Sequence, residues 1–176
     1  ANLSIDKIFV KDSLYLDTVA VALKNSGDGY AINTQLKDFK NYNRLNTDLF
    51  VQPGYSSVDI QLKKTSIWLG GKEWITPVDN NVHLSKKDIT ISNLFFESGE
   101  QRITFESYKT QDTIACVNVK LNETSLNGFM AIFNTKVKDI DAKVNGNLKI
   151  ERLFSKPIFL ADLNANTIQL GKVALG

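Results

Sequence analysis

The chain has 176 residues, 19.7 kDa and a formal net charge of +2, with 21 Lys and Arg against 19 Asp and Glu. That length is one domain's worth of protein, large enough to bury a core without disulfide or metal staples, and the near-neutral, scattered charge (18 Lys, 3 Arg) excludes the concentrated basic surface that nucleic acid requires. One Cys (Cys116) and one His (His83) exclude an internal disulfide, a thiolate cluster and a multi-histidine metal site.

Period-two hydrophobicity dominates the chain. Alternate side chains of a strand point to opposite faces, and the pattern predicts strands at 3–10, 14–24, 29–38, 45–51, 56–63, 65–69, 82–84, 88–96, 101–108, 113–121, 143–151 and 158–170, the last broken in two. Val58, Ile60 and Leu62 alternate with Asp59, Gln61 and Lys63. Ile89 and Ile91, and then Ile103 and Phe105, repeat this on a smaller scale. Val117, Val119 and Leu121 alternate with Asn118, Lys120 and Asn122, and Leu148 and Ile150 with Asn147, Lys149 and Glu151. Each segment has one apolar and one polar face, as in an antiparallel sheet. Ser26-Gly27-Asp28-Gly29 and Ser98-Gly99-Glu100-Gln101 are tight-turn signals. Pro53, Pro77 and Pro157 fall between predicted strands, where a missing N–H does least harm. Helical spacing competes in one place. Ser125 can cap a short helix over 125–134, with Leu126, Phe129, Met130 and Phe133 on one face.

Such an apolar face must be covered, since leaving one large apolar side chain in water costs about 1.5–3 kcal/mol. A sandwich of two sheets, a closed barrel, or one long sheet curled into a trough would satisfy it. Phe95, Phe96, Phe105, Phe129, Phe133, Phe154 and Phe159 suit either a packed core or a lined groove.

Catalytic signatures are absent. GxSxG, HExxH, a P-loop and a dinucleotide fingerprint do not occur. Asp139 and Asp141 share a face if extended, but no calcium-loop spacing surrounds them. Glu97, Glu100 and Glu106 flank a hairpin and read as its solvated edge, and His83 as a half-exposed strand residue. The expectation is a protein that is not an enzyme, with no metal and no cofactor. The start lacks the charged and apolar regions of a signal peptide. The expectation is a single β-rich domain over 1–176, read as a fragment of a longer repeating sheet whose pattern would continue past Gly176.

Two stretches carry a resemblance. The first runs Lys72-Glu73-Trp74, Pro77, Asn80, Ile89, Ile91, Phe96, Gly99, Gln101, Ile103, and the second Gly146, Leu148, Ile150, Pro157, Leu163, Gly171. Both are similar to recurring segments of TamB proteins, the translocation and assembly module subunit and its AsmA-like relatives, particularly of the Bacteroidetes type. The tail departs from the pattern at Ala161, where the family often has Gly. The resemblance implies an inner-membrane-anchored protein of the Gram-negative envelope, whose periplasmic sheet curls into a taco-like trough with an apolar interior. It implies phospholipid transport between the two membranes, or assistance to outer-membrane protein assembly. The partners implied are acyl chains, an outer-membrane barrel of the TamA/BamA type, and neighbouring segments of the same chain. On this reading the groove is lined by Val58, Ile60, Leu62, Ile89, Ile91, Ile103, Phe105, Val117, Val119, Leu121, Leu148 and Ile150. Two other readings stay open: a β-sandwich binding or adhesion module stacking glycans on Trp68, Trp74 and Tyr55, and a structural spacer.

Overall fold

The computed structural model describes residues 1–5, 8–10, 14–38, 44–69, 71–110, 115–126, 140–170 and 173–174. These residues form fifteen strands: β1 (Asn2–Ile5), β2 (Ile8–Val10), β3 (Leu14–Ser26), β4 (Gly29–Asp38), β5 (Arg44–Pro53), β6 (Ser57–Leu69), β7 (Lys72–Ile75), β8 (Asn81–Ser85), β9 (Ile89–Ser92), β10 (Leu94–Ser98), β11 (Gln101–Lys109), β12 (Ala115–Ser125), β13 (Ile140–Glu151), β14 (Ile158–Leu170) and β15 (Val173–Ala174). All belong to one antiparallel sheet, ordered β1-β3-β4-β5-β6-β7-β10-β11-β12-β13-β14-β15. β2 pairs with β3 alongside β1, and β8 pairs with β6 and β9. The sheet is not closed into a barrel, and the described residues contain no second sheet, so the sandwich alternative is not what is seen.

Local chemistry explains the meander. Gly27 (φ 67°) and Gly99 (φ 61°) turn the β3–β4 and β10–β11 hairpins with the positive φ that only glycine adopts freely. Where the sequence pattern and the structure differ, irregular backbone is the reason. The 3–10 segment is two short strands, β1 and β2, both paired to β3. The 56–63 and 65–69 segments are one strand, β6, with a bulge opposite Asp48 and Leu49. The extra residue reverses the alternation, so that Val58, Ile60 and Leu62 share a face with Thr65 and Ile67. The 88–96 segment is β9 and β10, separated at Asn93 (φ 50°). The final segment, expected to break, is the continuous β14, whose register shift near Thr167 (φ 55°) absorbs an extra residue. β7 and β15 are too short to show periodicity and were not predicted. Ser125 closes β12, and residues 127–134 of the expected helix lie outside the described residues.

β6 is the branch point. Its first half, Ser57–Ile60, pairs with β8. Its second half, Ser66–Leu69, pairs with β7. Asn80 fills the gap between the two short strands: its Oδ1 accepts from the Leu62 N–H and its Nδ2 donates to the Leu62 carbonyl, both at 2.9 Å, and to the Pro77 carbonyl. The side-chain amide thus replaces a missing peptide in the ladder. Asn80 is fully buried, so these bonds meet a demand that water cannot.

A candidate apolar groove

Directly opposed residues of an antiparallel ladder share a face, so the register shows which side chains line up. Across the second half of the sheet one row runs Phe96, Ile103, Leu121, Gly146, Leu163. The next runs Leu94, Phe105, Val119, Leu148, Ala161, and a third Ser107, Val117, Ile150, Phe159. In the first half, rows run Ile5, Val19, Leu36, Leu45, Ile67, Trp74 and Tyr30, Val51, Ile60, Val82, Ile91. Val58 continues to Leu84 and Ile89, and Leu62 to Leu49 and Ile32. The halves join at Ile75 opposite Glu97, both on the other face, which puts Trp74 and Phe96 on the same side. All twelve predicted lining residues therefore share one face.

Ile103 and Val117 are buried, whereas Val58, Ile60, Leu62, Ile89, Ile91, Phe105, Val119, Leu121, Leu148 and Ile150 are half-buried. Close packing is local. Phe96 meets Phe105 edge-to-face at 6.0 Å, and the Thr47 and Thr65 hydroxyls satisfy each other at 2.5 Å. Exposure rises toward the two ends of the sheet, with Leu3 57% and Leu23 39% at one end and Phe159 65% and Leu163 47% at the other. The accessible surface, 11514 Å², exceeds by about a third the roughly 8,600 Å² of a compact 19.7 kDa protein.

Trp74, Phe96, Val82, Leu84 and Phe159 belong to this face but were not among the predicted lining residues. A sequence signal existed for Val82 and Leu84, which alternate with His83. None existed for Trp74, whose β7 is four residues long. Phe95 is on the opposite face, with the Arg102 guanidinium 3.6 Å from its ring centre. Phe154 is exposed, and Phe129 and Phe133 lie outside the described residues. Among the candidate glycan-stacking aromatics, Trp74 is buried, Trp68 is covered by the Arg44 guanidinium at 4.4 Å, and Tyr55 is fully exposed.

The other face carries many charged side chains, several of them paired, alongside apolar residues such as Phe50, Ile75, Phe95 and Leu160. Asp59 accepts from Asn81 Nδ2 at 3.0 Å and pairs with His83 Nδ1 at 2.9 Å. The Asn81 hydrogen bond, then that from His83, holds the Asp59 carboxyl below its ordinary range. Glu123 is held low by Asn145 and then by Lys143, 2.9 Å away, and Lys143 is raised in return by Glu123. Lys109 lowers Asp88 across 2.7 Å, and Lys120 pairs with Glu106. His83 thus sits half-exposed at a strand position, hydrogen-bonded to the Asp59 carboxyl. A polar depression of about 440 Å³ lies where the β10–β11 turn meets the β12 bulge, lined by Lys72, Glu100, Gln101, Glu123, Asp141 and Lys143 among others. Its charges face one another: Lys143 reaches Glu123 and Glu100, while Ser125 bonds Gln101 and Asp141. Asp139, the companion of Asp141 in the calcium consideration, lies outside the described residues. Among the described residues no group of three His, Cys, Asp or Glu could hold a metal, and no helix is long and apolar enough to cross a membrane.

No family model, no curated protein and no solved structure matches the chain.

Proposed function

We propose that the chain is a length of a periplasmic β-trough in an envelope-spanning bridge protein of the TamB type, shielding phospholipid acyl chains on their way between inner and outer membrane. The observation that carries the reading is the continuous apolar face, ten of whose twelve predicted lining residues are only half-buried. A methylene-rich chain laid along it would remove that surface from water at about 25 cal/mol per Å². The face suits sliding because it is chemically uniform. From β10 to β14 the middle rows are aliphatic or aromatic apart from Ser107, Gly146 and Thr124, with Ser98, Gln101 and Lys109 at the row ends, so an acyl chain laid along the middle meets few fixed hydrogen-bonding groups. Head groups would stay at the open mouth, among the charged side chains of the other face. Twelve strands side by side at about 4.8 Å give a path of roughly 50 Å, longer than a leaflet's hydrocarbon half and shorter than an envelope bridge.

A role in outer-membrane protein assembly, with a barrel partner, draws support from a different feature. β15 pairs only with Gln169 and Leu170, leaving the remaining edge of β14 with no strand among the described residues. Phe159 and Leu163 are exposed beside it, and an extended apolar segment fits such an edge by strand addition.

The test is a photoreactive phenylalanine analogue at Val119 or Leu148, with one at Lys120 or Lys149 on the other face as control. Crosslinking in cells, followed by mass analysis of the adduct, should give phospholipid at the first pair and not at the second. Equal labelling of both faces, or none at either, overturns the reading.

A further inference from the structure

The sheet has a seam. Ladders elsewhere hold more than one pair: β3 and β4 pair from Leu16↔Asp38 to Ser26↔Gly29, β13 and β14 from Ile140↔Leu170 to Glu151↔Ile158, and the short strands β1, β7, β8 and β9 each pair over four residues. Between the block formed by β1–β9 and the block formed by β10–β15, the only backbone pairing among the described residues is the single pair Ile75↔Glu97. The cause is the branch at β6. β8 and β9 form a hairpin anchored to β6 through Ser57–Ile60, so they belong to the first block. β10 belongs to the second, paired with β11 from Leu94↔Phe105 to Ser98↔Gln101. β9 lies alongside the end of β11 without a ladder. There a side chain substitutes for backbone, as the Ile91 N–H donates to Ser107 Oγ at 2.9 Å. Two further links cross or close the seam, Lys109–Asp88 at 2.7 Å and Asn93 Nδ2 to Asp79 Oδ1 at 2.6 Å. Both are exposed or half-exposed and therefore contribute little. The chain itself crosses at Asn93, in a left-handed conformation (φ 50°) that ends β9 and starts β10. On the near side, the fully buried Asn80 ties the branch to β6 and leaves the compliance on the far side.

We propose that this seam is a hinge, and that the molecule moves as two rigid plates, β1–β9 and β10–β15, pivoting about Asn93 and the Ile75–Glu97 pair. Opening it breaks a single backbone pair and a few side-chain bonds, whereas parting neighbouring strands within either plate breaks a ladder of several pairs at all but the terminal β14–β15 contact. Local opening follows the weakest boundary between cooperative units. The hinge does not depend on what, if anything, the apolar face carries.

Spin labels test it. One pair sits across the seam at Asn46→Cys and Lys149→Cys, and a control pair of similar strand separation lies within the first plate at Lys24→Cys and Thr90→Cys; all four positions are exposed, and the fully buried Cys116 stays unlabelled. Pulsed dipolar spectroscopy should give a cross-seam distance distribution at least twice as wide as the control. Ser107→Ala, which removes the bond to Ile91, should widen the cross-seam distribution further and leave the control unchanged. Equal widths for the two pairs, or a Ser107→Ala effect on both alike, overturns the hinge.

Discussion

Asn80 shows how one side chain can stand in for a strand. It supplies donor and acceptor to Leu62 at the point where β7 and β8 leave the β6 ladder unpaired. Asn80→Ala strands a buried N–H and C=O, and each costs about 1–3 kcal/mol when left unmet. Chemical denaturation should show a loss of about 2–4 kcal/mol. Asn80→Asp keeps the acceptor but sets a carboxylate against the Leu62 and Pro77 carbonyls, and should be the worse of the two. Gly146 is similarly constrained. Its φ is +136°, and a Cβ there would approach the Asp162 carbonyl oxygen at 2.2 Å, backbone that cannot retreat without moving β14. The polar face sets the acid response. Asp59, Asp88 and Glu123 all titrate below their ordinary values when folded. A lowered folded value gives stability that is fully present above the unfolded value, about 4, and is lost as pH falls through the folded one. Denaturation midpoints should therefore be flat from pH 7 to about 5 and fall below about 4. Asp59→Asn should make the acid decline shallower.

At the scale of elements, the bulge in β6 decides which residues face where. Lys63 is the residue that lets Leu62 oppose Leu49 and Lys64 oppose Asp48 in one strand. Deleting Lys63 would remove the unpaired residue and leave a regular ladder, with Leu62 still opposite Leu49, Lys64 opposite Asp48, and Thr65 and Ile67 still on the apolar face beside Trp74. The deletion should therefore keep a cooperative melting transition, and Lys63→Ala should stay within about 0.5 kcal/mol of the parent, as exposed substitutions do; loss of cooperative melting on deletion would show that the bulge itself is required. This element also shows where the sequence was legible and where it was not. The alternation in 56–63 is visible, and 65–69 reads as a separate strand, with a change of phase between them. The phase change read as a break between two strands, because a bulge and a turn look alike until the partner strand is known. β7 was illegible for another reason: four residues hold no period, and Lys72–Ile75 are a strand only because β6 and β10 flank them.

At the scale of the molecule, the distinction that matters is between covered and uncovered positions on the apolar face. Ile103 is buried and Val119 is half-buried, although they lie on adjacent strands. Ile103→Glu should unfold the protein, since an unpaired buried carboxylate has no compensating partner. Val119→Glu should leave a cooperative unfolding transition while abolishing recovery of bound phospholipid in native mass spectrometry. If the two variants behaved identically in both assays, the face would be an ordinary core and not a groove.

The sequence alone determined the fold class, the two glycine hairpins and which residues alternate together within a strand, because side-chain alternation is local geometry and each strand carries its own copy of it. That all twelve residues from Val58 to Ile150 fall on one side came from the register between strands. The tertiary structure alone decided that there is one sheet and not two, that β6 branches, that Asn80 bridges the branch, and that a weak boundary runs beside β10. Those features depend on which backbone groups find partners across tens of residues, and hydrogen-bond supply and demand between distant strands leaves no periodic trace in the chain.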